Sequence, residues 1–122
     1  MTGIQNSKPV YDLEERTFQF AKAVRLFVKT LPKTIGNIED GKQLIKASGS
    51  VGANYIEANE SLGKKDFLMR MRISRKEAKE SAYWLRLIHE TNNLKNGDDG
   101  QSLMQEAIEL KKIFSSILEK SK

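Results

Sequence analysis

The chain has 122 residues, no cysteine, one histidine and a formal net charge of +5. This composition excludes a disulfide scaffold, a cysteine nucleophile and a metal site built from thiolates or several histidines. The length predicts a single domain over residues 1–122, and no apolar run approaches the roughly 20 residues of a membrane span. The first residues lack the cationic start and apolar stretch of a signal peptide, so we expect a cytoplasmic protein.

After an irregular arm over residues 1–11, apolar residues recur at steps of three and four. This spacing predicts four amphipathic helices, over residues 12–31, 40–62, 65–93 and 99–120. We expect Asp12 to cap the first helix and Asn37 or Asp40 the second. Pro32 and Gly63 are expected to stop these two helices, and a turn over residues 96–100 opens the fourth. Four such helices with short connections predict an all-α, antiparallel, up-and-down four-helix bundle.

The middle of the second helix is rich in small residues, including Gly49 and Gly52. Each glycine inside a helix costs about 1 kcal/mol relative to alanine. Close approach of a neighbouring helix would offset that cost through packing. The alternative, a phosphate-binding loop, is disfavoured because the segment does not match G-x-x-x-x-G-K-[ST] and follows no strand.

Few residues suggest catalysis or metal binding. His89 lacks the Glu-x-x-His context of a di-iron bundle, and no nucleophile motif is present, so we expect no enzyme, no metal and no cofactor. Asn54 and Glu57, three residues apart, are interpreted as a structural pair that ties neighbouring helices by hydrogen bonds. A functional role for this pair is the alternative.

The third helix carries most of the basic character. Residues 64–86 contain eight cations and three acids, a net charge of +5. Like charges spaced four residues apart destabilise a helix slightly, and a bound anion would neutralise them. The alternative is an ordinary solvated face. The predicted nucleic-acid-binding residues are Lys64, Lys65, Arg72, Arg75, Lys76, Lys79 and Arg86.

The same helix also places apolar residues outside the predicted core. An apolar outer face usually marks an interface, so we expect self-association, and a ring would repeat the basic stripe around its axis. The predicted interface residues are Met69, Ile73, Tyr83 and Leu87. Trp84 and Tyr83 are interpreted as packing residues, which would stack on bases only if exposed.

Three motifs give the chain a family resemblance. Residues 50–58, SVGANYIEA, resemble the S-[IV]-x-x-N-x-x-E-[AG] signature of the bacterial four helix bundle family, also called the 23S ribosomal RNA intervening sequence proteins. Residues 65–67, KDF, resemble its [KR]-[ED]-F motif, and residues 76–85 its A-x-x-[ES]-x-x-x-[WQ]-L region. Ser50, Gly52, Asn54 and Glu57 are the signature positions, to which we assign a structural role. The similarity extends from about Leu13 to Ile117, with Asn-Tyr-Ile-Glu-Ala in place of the more frequent Asn-Ile-Ala-Glu-Gly.

The resemblance implies an up-and-down bundle that assembles as a ring, commonly a pentamer, with no enzymatic activity attached to the family. A related protein, the accessory variability determinant of diversity-generating retroelements, is a basic pentamer that binds nucleic acid and a reverse transcriptase. We therefore expect a homo-oligomer, with a pentamer favoured, that binds RNA or DNA through the basic face of the third helix. The alternative is an oligomeric adaptor that binds a protein partner and has no nucleic-acid role.

Overall fold

The computed structural model describes residues 12–94 and 97–121, which form four helices and, within those ranges, no strand. The helices are α1, Leu13–Lys29; α2, Ile35–Asn59; α3, Lys64–Thr91; and α4, Gly97–Lys120. The predicted arm over residues 1–11 and the Asn96 position of the predicted turn lie outside the described residues.

Each helix packs against the next one in the chain, and α1 also packs against α4. This neighbour order is that of the predicted up-and-down four-helix bundle. One apolar layer runs along its axis, because the three-four spacing brings one face of every helix inward. The largest fully buried apolar side chains are Phe114, Leu44, Met71, Leu85, Ile88, Leu110, Val24 and Val51.

The first helix begins as predicted, since the Asp12 side chain accepts a hydrogen bond of 3.2 Å from the Glu15 backbone N–H. The second begins at Ile35, five residues earlier than predicted. Its cap is Thr34, whose Oγ1 accepts from the Asn37 backbone N–H at 3.1 Å. The prediction of Asn37 or Asp40 as the cap was therefore wrong.

Asn37 has a different role, because its side chain is buried and pairs with Asn92. Each Nδ2 donates to the other residue's Oδ1 at 2.8 Å. Asn92 is the C-cap of α3, which ends close to its predicted boundary. The pair therefore fastens the start of α2 to the end of α3. Gly63 is the N-cap of α3 rather than the stop of α2, which ends at Asn59.

The small residues of α2 lie against both neighbouring helices. A Cβ added at Gly52 would lie 2.7 Å from Thr17 Oγ1 and 3.0 Å from Thr17 Cβ on α1. On the other side, the buried Ser74 hydroxyl of α3 donates to the Val51 carbonyl at 2.9 Å. The close helix approach predicted for this segment is thus present at Gly52.

Candidate nucleic-acid interface

A basic groove runs along the surface where α3 meets α4. It has a volume of about 450 Å³. Its lining residues are Arg72, Arg75, Lys76, Lys79, Lys111 and Ser115. The structure therefore brings together four of the seven cations predicted to bind nucleic acid, and adds one from the neighbouring helix.

The core residues of the two helices explain why these side chains converge. Ser74, Ala78 and Ser81 of α3 are fully buried, and Arg75, which directly follows Ser74, is half-buried at the edge of the helix contact. Lys111 follows the fully buried Leu110 and is half-buried at the edge of α4. The groove lies between these two edges. Four of its cations come from α3, where Arg72, Lys76 and Lys79 are exposed, and one, Lys111, comes from α4.

The groove is an electropositive site because its described lining contains no carboxylate. One of its cations forms an ion pair at the margin of the groove, where Lys76 Nζ lies 3.7 Å from Glu77 Oε2. Burial raises the pKa of Glu77, and repulsion from Glu80 raises it further, while Lys76 and Lys46 oppose this shift. Because Lys76 is largely exposed, the pair contributes little attraction and leaves this cation available.

Three of the predicted binding residues lie away from the groove. Lys64 and Lys65 are exposed in the first turn of α3. Arg86 donates from Nε to Glu90 Oε2 at 2.9 Å, so its charge is paired within its own helix. Binding by these three residues stays a prediction.

Lys111 and Ser115 were not among the residues predicted from the sequence. Lys111 directly follows a core position of α4, and Ser115 directly follows the core residue Phe114. Positions beside the core stripe face a neighbouring helix in a bundle, so this pattern was available as a signal. The sequence did not show which of the two flanks of α4 faces α3.

The family-signature residues lie on the opposite flank of α3, along α2. Asn54 donates to the Ser50 carbonyl at 3.0 Å and to Ser50 Oγ at 2.8 Å, and its Oδ1 accepts from Arg70 Nη1 at 3.0 Å. Asn54 thus joins α2 to α3, in line with a structural role. Glu57 is exposed and takes no part in this contact, so Asn54 makes the expected link between helices without Glu57. The actual partner of Asn54 is an arginine one helix away.

The predicted interface residues divide into two groups. Met69 is 45% exposed and Tyr83 is 59% exposed, whereas Ile73 and Leu87 are half-buried. Exposed apolar side chains also occur on α1, where Phe18 and Leu26 are each more than half exposed.

The described part of the chain contains neither a candidate metal site nor a membrane-spanning helix. Within residues 12–94 and 97–121, no three histidine or acidic side chains are grouped in a way that could hold a metal ion. The helices in those ranges also include none that is both long and apolar enough to cross a membrane.

A sequence profile described as 23S rRNA-intervening sequence protein matches residues 11–116. The chain belongs to this family. It is also similar to the crystal structure of a protein of unknown function from the S23 ribosomal protein family of Bacteroides thetaiotaomicron. The two are 26% identical and align with a TM-score of 0.75 over 86% of this chain and 96% of the other. No curated protein is detectably similar to the chain.

Proposed function

We propose that this family member is a non-enzymatic, cytoplasmic, ring-forming bundle that binds RNA or DNA through phosphates in the α3–α4 groove. The observation that carries the proposal is the convergence of five cations from two helices in one groove whose described lining has no carboxylate. Polyanions release condensed counterions when such a site neutralises their phosphates, which drives binding.

The groove supports recognition of the phosphate backbone rather than of sequence. Its cations are held on rigid helices, and three of them lie within one turn of each other at Arg75, Lys76 and Lys79. Their mutual repulsion destabilises α3 when the groove is empty and is relieved when phosphates bind. Phosphate contacts position a ligand but carry no base information.

Ring formation would multiply this site. Met69 and the half-buried Ile73 and Leu87 supply an apolar strip on α3 that a second copy would cover. A closed ring places one groove on every subunit, so a long polyanion would contact several grooves at once. The family resemblance favours five subunits.

A second candidate function is that of an adaptor for a protein partner. The observation that favours it is the exposure of Phe18 and Leu26 on α1, which line a surface pocket that shares no residue with the basic groove. In that case the ring would present apolar patches to another protein, and the basic groove would have no ligand.

The experiment is a fluorescence-anisotropy titration of a labelled RNA hairpin and a duplex DNA. The test variant is Arg75→Gln/Lys111→Gln, which removes one groove cation from each helix. The matched control is Lys64→Gln/Lys65→Gln, which removes the same charge outside the groove. We expect the groove variant to lose much more affinity than the control. Equal losses, or undetectable binding by the unmodified protein at low salt, would favour the adaptor.

A further inference from the structure

Tyr83 is an exposed aromatic residue on the same outward face of α3 as the groove cations. Tyr83 is 59% exposed, although its side chain is large and mostly apolar. It lies one helical turn, four residues, beyond Lys79. At 3.6 residues per turn, Tyr83 is within about 20° of Arg72 and Lys76 around the helix, and about 80° from Ile73. It therefore borders both groups, with Arg72 about 20° away on one side and with Met69 and Leu87 of the predicted apolar interface about 40° away on the other.

The ring of Tyr83 is partly fixed but not covered. Its centroid lies 5.0 Å from that of Trp84, and the two planes meet at 79° in an edge arrangement. The rings are therefore not stacked face to face, and at least one face of Tyr83 is left open by this contact. An aromatic ring stacks on a nucleobase when its position is fixed, one of its faces is accessible, and the phosphates of the same strand bind nearby.

We infer that Tyr83 is a stacking platform for an unpaired base, and that the groove therefore prefers nucleic acid with single-stranded segments over fully paired duplex. This inference rests on the proposed phosphate binding by the groove. The lining of the groove contains no aromatic side chain, so the cations alone give no means of telling paired from unpaired strands. Tyr83 supplies that discrimination, because only an unpaired base exposes its face.

The test uses two strands of equal length and charge: an oligoadenylate, and an abasic strand with the same sugar-phosphate chain. The variants are Tyr83→Leu, which keeps apolar volume but loses the aromatic face, and Tyr83→Phe, which keeps the face. For the unmodified protein, we expect the oligoadenylate to bind roughly fivefold or more tightly than the abasic strand. Tyr83→Leu should remove this difference, and Tyr83→Phe should preserve it.

A second measurement uses Trp84, the only tryptophan in the chain. Because it contacts Tyr83, its fluorescence should change when the oligoadenylate binds and stay constant when the abasic strand binds. Light scattering on Tyr83→Leu serves as a control for assembly, and we expect an unchanged mass.

The outcomes separate this inference from the proposed function. If the unmodified protein binds both strands equally, the groove binds phosphates and the role of Tyr83 is refuted. If it binds neither, the proposed function fails and the inference fails with it. If Tyr83→Leu dissociates the assembly, Tyr83 belongs to the subunit interface, and the stacking role is overturned.

Discussion

At Gly52 the backbone of α2 lies directly against the Thr17 side chain of α1 and leaves no room for a Cβ. A Cβ there would lie 2.7 Å from Thr17 Oγ1, which is itself anchored by hydrogen bonds to the Leu13 and Glu14 carbonyls. We expect Gly52→Ala to lower the free energy of unfolding by about 1–3 kcal/mol, because overpacking exceeds the gain in helix propensity. Urea denaturation followed by circular dichroism measures this change.

Gly36 provides the matched control within the same helix, because nothing lies within 4 Å of an added Cβ there. Gly36→Ala should raise the free energy of unfolding by up to about 1 kcal/mol. In a Gly52→Ala background, Thr17→Ala should restore part of the loss, since it removes the crowding hydroxyl. A Gly52→Ala variant more stable than the unmodified protein would contradict close packing at this position.

Glu77 is a half-buried acid whose ionisation opposes folding. Burial and Glu80 raise its pKa above the ordinary value, so the folded state holds this proton more tightly than the unfolded chain does. The contribution of Glu77 to stability therefore falls as pH rises from the ordinary glutamate pKa through the raised one. Glu77→Gln should stabilise the protein at pH 7 relative to the unmodified chain and lose that advantage near pH 4.

The measurement is thermal unfolding of both proteins across this pH range. Glu80→Gln is a useful comparison, because Glu80 is exposed and only adds to the repulsion. A Glu77→Gln variant less stable than the unmodified protein at pH 7 would show that the ion pair with Lys76 outweighs burial.

The side-chain amides of Asn37 and Asn92 form a pair of hydrogen bonds that links α2 to α3 at one end of the bundle. Asn37 is only 5% exposed, so truncating its partner leaves a buried amide with unmet hydrogen bonds. We expect Asn92→Ala to cost about 1–3 kcal/mol of unfolding free energy. A double-mutant cycle with Asn37→Ala should show strong coupling. Additive losses would mean that the two amides stabilise their helices independently.

The four helices and their order could be predicted from the apolar spacing, because burial of one face per helix determines that spacing. The start of α2 could not, because Thr34 and Asn37 are both good caps, and their distance of three residues lets either fill the role. Asn37 instead pairs with Asn92, a partner 55 residues away. A contact of that separation leaves no periodic signal.

The candidate site likewise has residues that the sequence could predict and residues that depend on packing between helices. The cations of Arg72, Arg75, Lys76 and Lys79 were predictable, since they share one helix and its known geometry. Lys111 was missed because the orientation of α4 about its axis decides which flank meets α3. The exposure of Glu57 was likewise set by packing, since Asn54 bonds Arg70 of α3 while Glu57 remains in solvent.

For the whole molecule, the apolar strip on α3 predicts self-association into an oligomer. Met69 is 45% exposed, so Met69→Glu should be tolerated by the single bundle yet disfavoured in a subunit contact, where the charge would be buried. We expect a mass well above 13.9 kDa for the unmodified protein by light scattering, and a shift toward the monomer for the variant. Helical circular dichroism should be unchanged. If the unmodified protein is a monodisperse monomer, the ring hypothesis is refuted.

The most direct test of phosphate binding by the groove is the salt dependence of affinity for a labelled RNA hairpin. The logarithm of the affinity should fall linearly with the logarithm of salt concentration, by about 0.7–0.9 per phosphate contact. Replacing both Arg72 and Lys79 by glutamine should flatten the slope by about 1.4–1.8 for each subunit that binds, whereas Lys64→Gln/Lys65→Gln should change it less. An unchanged slope in the groove variant would contradict phosphate binding at this site.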